Sequence, residues 1–328
     1  MRVVSRRFGR VRSATGACLA TLLLAALTGC ALPQTRQVLA ALPPPGSPLP
    51  LSAELEAVPF FPQKAYQCGP AALATVLGAA GFAVTPDELT PEVYLPRRRG
   101  SLPLELLAAA RRHGAVPYVL RPRLETVLDE VRAGHPVLIL QNLGLSFAPV
   151  WHYAVVVGFD LERARVVLRS GHERRRWMSL RTFEYTWRRG DYWAVVVSSP
   201  DKIPQTAEEV PYLQTVLALE QPGHWQDAAT AYDAALLRWP QSLGAAMGLG
   251  NSRYALGDLS GAEAVFRAAT LAHPEAGVAF NNLAQTLADQ SRLTEAEAAA
   301  RQAVALGGQN SDPNADVFQQ TLGEILGR

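Results

Sequence analysis

The sequence predicts two structural units in tandem, an α+β domain with its helices first and an antiparallel sheet after them, followed by an all-α region. Three observations carry this. Apolar residues recur at helical spacing from about residue 69 to residue 113, then gather in short Val-rich and aromatic runs up to residue 198. From residue 209 onward the chain repeats with a period of 34: Ala228, Ala262 and Ala296 stand in one column, Gly223, Gly257 and Ser291 in another. Charge divides at the same point. Residues 31–208 carry 20 basic and 16 acidic side chains, residues 209–328 carry 6 and 13.

The elements justify themselves in chain order. Residues 1–29 read as an export signal: Arg2, Arg6, Arg7, Arg10 and Arg12 precede an apolar core at Ala17–Leu27, which is shorter than the roughly 20 residues a spanning helix needs. Leu27-Thr28-Gly29-Cys30 resembles a bacterial lipoprotein box, with Cys30 as the lipidation site. Ala31 follows, with no Asp to retain the protein at an inner membrane. By resemblance to Gram-negative lipoproteins this places it in the cell envelope, at the outer membrane facing the periplasm. Loss of the signal takes the formal charge from +2 to −3, which excludes a general nucleic-acid binder. Residues 30–52, rich in Pro, Ala and Leu, read as an extended tether.

The α+β domain is expected over residues 53–204. Helices are predicted at Gly69–Ala80, from a capping box at Thr85-Pro86-Asp87-Glu88, and at Pro103–His113, closed by Gly114. Strands are predicted at Val116–Leu120, Pro136–Leu140, His152–Phe159, Arg165–Arg169 and Tyr192–Ser198, with a helix at Leu124–Ala133. Residues 205–328 hold the repeats. Their bounds are Glu209–Ser242, Leu243–Ala276 and Gly277–Asn310, with a capping helix at Asp316–Leu326. Tyr232, Phe266 and Ala300 lie four residues after the alanine column. This pattern resembles tetratricopeptide repeats, whose groove implies a peptide or protein partner.

Candidate chemistry centres on Cys68. Of three cysteines, Cys18 leaves with the signal and Cys30 is assigned to lipid, so Cys68 has no disulfide partner in an oxidising compartment. It opens a helix, whose unsatisfied N–H groups favour a thiolate. Gln63 and Gln67 are near enough in sequence to donate to an oxyanion. His152 heads an otherwise apolar strand and is the strongest base candidate among the histidines. No histidine pair has metal-ligand spacing and Cys68 is isolated, so neither a metal nor another cofactor is expected.

Val58-Pro59-Phe60-Phe61-Pro62-Gln63, Gln67-Cys68-Gly69-Pro70-Ala71-Ala72-Leu73, Gly134-His135-Pro136-Val137-Leu138 and His152-Tyr153-Ala154-Val155-Val156-Val157-Gly158-Phe159-Asp160 together resemble the papain-like cysteine peptidases that process bacteriocin leaders after a double glycine. The resemblance spans about Val58 to Ser199. It implies a papain-like fold, Cys68 as nucleophile, His152 as base and Gln63 as oxyanion donor. That family places Asp or Asn where this chain has Ser170; Asp160 is eight residues past His152, too far along an extended strand. Three functions fit this pattern: peptide-bond hydrolysis, acyl transfer from a thioester by the same pair, and a binding scaffold whose peptidase site has decayed. Arg97-Arg98-Arg99 and Arg174-Arg175-Arg176 are read as solvated loops or as a basic rim for acidic peptides.

Overall fold

In the computed structural model, residues 33–42, 50–221, 223–310 and 312–328 are described. The export signal and Cys30 lie outside them. Among the described residues no helix is long and apolar enough to cross a membrane.

A seven-stranded sheet organises the first unit: β1 (Ser52–Glu54), β2 (Val116–Val119), β3 (Val137–Asn142), β4 (Trp151–Asp160), β5 (Arg165–Ser170), β6 (Glu173–Ser179) and β7 (Ala194–Ser198). Its order is β2-β7-β3-β4-β5-β6, with β1 paired to the far end of β4, and every pairing is antiparallel. The Val-rich runs form strands because β-branched side chains pack well on a pleated surface buried on both sides. Successive residues serve opposite faces: Tyr153, Val155 and Val157 enter one core, Ala154 and Val156 the other.

One face is covered by α2 (Cys68–Ala79), α3 (Pro86–Val93) and α4 (Pro103–Arg112). The predicted capping box is formed at α3, Thr85 and Glu88 each satisfying the other's backbone N–H. Gly114 ends α4 at φ +76°. The other face is covered by α1 (Pro33–Ala40), α5 (Leu124–Arg132) and α6 (Leu180–Arg188).

Two expectations are corrected here. Pro33–Ala40, read as part of an extended tether, is helical. Its N-terminus is capped by the buried Glu184, which accepts from Gln34 and Thr35 N–H at 3.1 and 2.6 Å, and Val38 packs into the core. Arg174–Arg176, read as a loop, lie in β6. That strand is an exposed edge, where charged side chains discourage pairing with other chains.

The second unit is seven helices among the described residues: α7 (Glu209–Glu220), α8 (Trp225–Arg238), α9 (Leu243–Ala255), α10 (Leu259–Ala272), α11 (Gly277–Asp289), α12 (Leu293–Asn310) and α13 (Ala315–Leu326). They fall into three pairs and a terminal helix. The alanine column is fully buried, and small residues let the helices close: a Cβ on Gly248 would stand 2.3 Å from the Tyr232 ring, and one on Gly250 2.3 Å from Phe266.

The two units share a core. Tyr212, Val216 and Leu219 of α7 belong to the same buried cluster as Tyr118 and Leu128 of the first unit. Glu130, wholly buried on α5, accepts from Gln205 N–H and from the Thr206 N–H and hydroxyl. The boundary near residue 205 is thus a packed joint.

Candidate active site

Cys68 stands at the first position of α2, where the chain arrives through Tyr66 at φ +63°, a left-handed backbone that a bulky residue adopts only under constraint. Gly69 follows because nothing larger fits: a Cβ there would lie 2.3 Å from Ser101 Oγ. His152 is the second residue of β4 and Ser170 the last of β5. Antiparallel pairing of these strands brings their ends together, and His152 Nε2 lies 2.8 Å from Ser170 Oγ. The hydroxyl therefore stands beside the imidazole, at the position where the sequence resemblance leads one to expect Asp or Asn. Asp160 is at the opposite end of β4, ion-paired with Arg163 and Arg165.

Gln63 is held on two sides: its backbone N–H donates to Gly171 O at 3.1 Å and its side-chain amide to Tyr153 O at 3.3 Å. An amide nitrogen carries two N–H groups, so one remains for a ligand oxygen. Gln63, Cys68 and His152 all line one cavity of about 810 Å³, closed on its other sides by Ser101, Leu140 and Trp151. This volume falls within the range of small-ligand and peptide-side-chain sites. Among the described residues no hydrogen bond joins the Cys68 thiol to the imidazole; they meet across the cavity. Arg98 and Arg99 stand at its rim, Arg99 over the Tyr66 ring at 5.7 Å, so the first basic cluster faces the cavity.

The electrostatics reverse one expectation. Burial pushes the Cys68 thiol up from its ordinary value, against the pull of the N–H groups of Tyr153, Gly69 and Cys68 itself. Burial, assisted by the Arg176 charge, lowers His152 to about 4. Both shifts favour an uncharged thiol beside an uncharged imidazole. The helix N-terminus that suggested a thiolate is real, but a half-buried thiol loses more solvation than those few donors restore. Among the described residues no cluster of His, Cys, Asp or Glu has the makings of a metal site.

Sequence reasoning missed Tyr153 and Ser101 as parts of the site. The Tyr153 backbone contacts both Cys68 and Gln63, a role no side-chain pattern announces, and its hydroxyl reaches Ser101 O at 3.3 Å.

Residues 55–194 match the Peptidase_C39-like family, and residues 213–272 and 247–311 match tetratricopeptide repeats. Three of the solved structures similar to this chain are as follows. A C39-like peptidase from Bacillus anthracis shares 20% identity over 47% of this chain and 99% of its own, with a TM-score of 0.38. A double glycine motif protease from an AMS/PCAT transporter, in complex with the leader peptide, shares 23% over 43% and 90%, with a TM-score of 0.33. The type III secretion translocator chaperone SycD of Yersinia enterocolitica shares 19% over 34% and 79%, with a TM-score of 0.32. No curated protein matches the chain. The helices-then-sheet order, the cavity at the start of α2 and the period of 34 agree with the family matches: residues 55–194 are a Peptidase_C39-like domain, and tetratricopeptide repeats follow it.

Proposed function

We propose that this protein is a cysteine peptidase of the bacterial envelope, lipid-anchored through Cys30 and facing the periplasm, a hydrolase whose repeats present the peptide. The observation that carries the catalytic reading is the convergence of Cys68, His152 and Gln63 on one cavity, with Ser170 on the second ring nitrogen. With Nε2–H donated to Ser170, Nδ1 is the free acceptor. The thiol attacks the peptide carbonyl carbon as Nδ1 takes its proton. The carbonyl oxygen gathers negative charge, and Gln63 supplies an N–H to it. The imidazolium then returns the proton to the leaving amine, and a thioester remains on Cys68. Water, deprotonated by the same nitrogen, hydrolyses it to the carboxylate and the free thiol.

The anchoring part rests on the arginine-rich start, the short apolar core and Leu27-Thr28-Gly29-Cys30. The repeat groove is assigned the peptide or protein partner. A second reading, a binding scaffold, draws on one observation: the group behind His152 is a neutral hydroxyl, which steadies an imidazolium less than a carboxylate does. Cleavage of an unstructured peptide library, followed by mass spectrometry, separates them. Wild type cleaves, Cys68→Ser does not, and His152→Gln falls by about 100-fold or more. Equal product from wild type and Cys68→Ser would leave the scaffold as the better account.

A further inference from the structure

The link between β3 and β4 carries the most concentrated apolar surface at the cavity end of the sheet. Leu143, Leu145, Phe147, Val150 and Trp151 are exposed, Phe147 by 85%. The loop is built to hold them outward. Asn142 Oδ1 accepts from the N–H groups of Gly144 and Val150 at 3.0 and 2.9 Å, Leu145 and Ala148 bridge each other, and Arg189 donates to Asn142 O at 2.8 Å. Gly144 admits the fold: a Cβ there would stand 2.4 Å from Ala148 O.

Two further observations say what covers this tip. The first is charge. Arg123, Arg188 and Arg189 belong to this end of the sheet, Arg98 and Arg99 to the adjoining rim, and none of the five is in an ion pair among the described residues. Arg188 and Arg189 lie over the exposed Tyr185 ring. The second is where the chain enters. Gln34, in the first turn of α1, binds Pro122 O and Leu124 N–H, just past the end of β2. Strands β2 and β3 are both antiparallel to β7, so the end of β2 and the β3–β4 loop are at one end of the sheet. The described chain therefore begins, at Pro33, on the side that carries the apolar tip.

An apolar tip with Trp, a collar of Arg, and the chain's entry beside it match the needs of a bilayer interface, where aromatic and aliphatic side chains enter the headgroup boundary and guanidinium groups meet phosphates. We propose that the β3–β4 loop docks on an anionic phospholipid surface and seats the cavity end of the sheet against it. The tip's affinity is its own and does not require lipid on Cys30 or turnover at Cys68.

The test uses the chain from Ala31 onward, which keeps every described element and has no lipid site. It is sedimented with vesicles of phosphatidylethanolamine and phosphatidylglycerol. Binding is expected, with Trp151 fluorescence quenched by lipids brominated near the headgroup. Leu145→Ser with Phe147→Ser lowers partitioning by 10-fold or more, and Arg188→Gln lowers it less and weakens its dependence on salt. Both side chains of the double variant are exposed, so its thermal melt stays that of wild type, which separates lost docking from lost fold. No binding by the wild-type chain, or equal binding by the double variant, overturns the proposal. So does a double variant that changes only KM for peptide, which would make the loop a substrate subsite.

Discussion

The first and third repeats follow one helical plan but have different neighbours. In the first, Tyr212, Val216 and Leu219 of α7 are buried with the sheet, Glu130 reaches across to cap the joint, and His224 touches Arg112 O at 3.0 Å. In the third, Leu283, Leu287 and Ala300 belong to a separate core with Ala262 and Phe266, against which Met247, Tyr254 and the capping helix also pack. Its junction with the second repeat is laced by ion pairs, chiefly Glu263 with Arg267 and Arg292. A repeat unit is thus not a fixed quantity of stability. The same hairpin serves as a wall of a globular domain at one end of the array and as a self-sufficient layer at the other.

Truncation gives the largest expected contrast. A chain ending at Asp201 exposes the sheet face around Tyr118 and Leu128 and loses its cooperative thermal transition by circular dichroism. A chain ending at Ala276 keeps one. If both melt alike, the shared core is not what holds the first unit. Next comes Glu130→Ala, which strands the Gln205 and Thr206 donors and costs about 3 kcal/mol. Glu263→Ala, in the network with Arg267 and Arg292, costs less than Glu130→Ala; urea unfolding of the two variants measures the difference.

Acid separates the regions further. His152 is held at about 4, below its ordinary 6.5, so the unfolded chain binds the extra proton first. Its contribution is complete above pH 6.5 and is lost as pH falls toward 4. Glu263 is held at about 2, chiefly by Arg267 and Arg292 working against burial, so its contribution persists above 4.5 and is lost between there and 2. Stability against urea should fall first in the upper window, and His152→Asn should flatten that window alone. The smallest effect is expected of Ser170→Asp. A carboxylate 2.8 Å from Nε2 favours the imidazolium and moves the acid limb of kcat/KM upward from about pH 4, with activity kept or raised. An unmoved limb would mean that Ser170 does not orient the ring.

Much of this was legible from residues alone. The repeat bounds followed from small residues at a fixed period, since close helix packing leaves no other choice at Ala228, Ala262 and Ala296. Cys68 and His152 stood out because each is a polar residue at or near the head of an apolar element, and the structure brings both to one cavity with Gln63. Strand β6 was not, because its Glu173-Arg174-Arg175-Arg176 run is an edge whose charge hides its pairing. Helix α6 was missed although Leu180, Phe183, Glu184 and Trp187 share one buried face and Ser179 caps it; the signal was present and overlooked. The shared core was not legible, since no local pattern tells a helix which surface will cover it. The charge state of the site was misjudged for a related reason: donors near a thiol can be read from sequence, while burial cannot.

The sheet order has a consequence for how the chain comes to be folded. Strand β7 is the last to be made, yet it lies between β2 and β3 and pairs with both. Until Ser198 is available, β2 has no neighbour and β3 lacks one edge. Loop closure across so many residues is slow, so β2 and the open edge of β3 are the last parts of the sheet to settle. A chain emerging N-terminus first would carry β2 without a partner strand until the segment joining the two units had arrived.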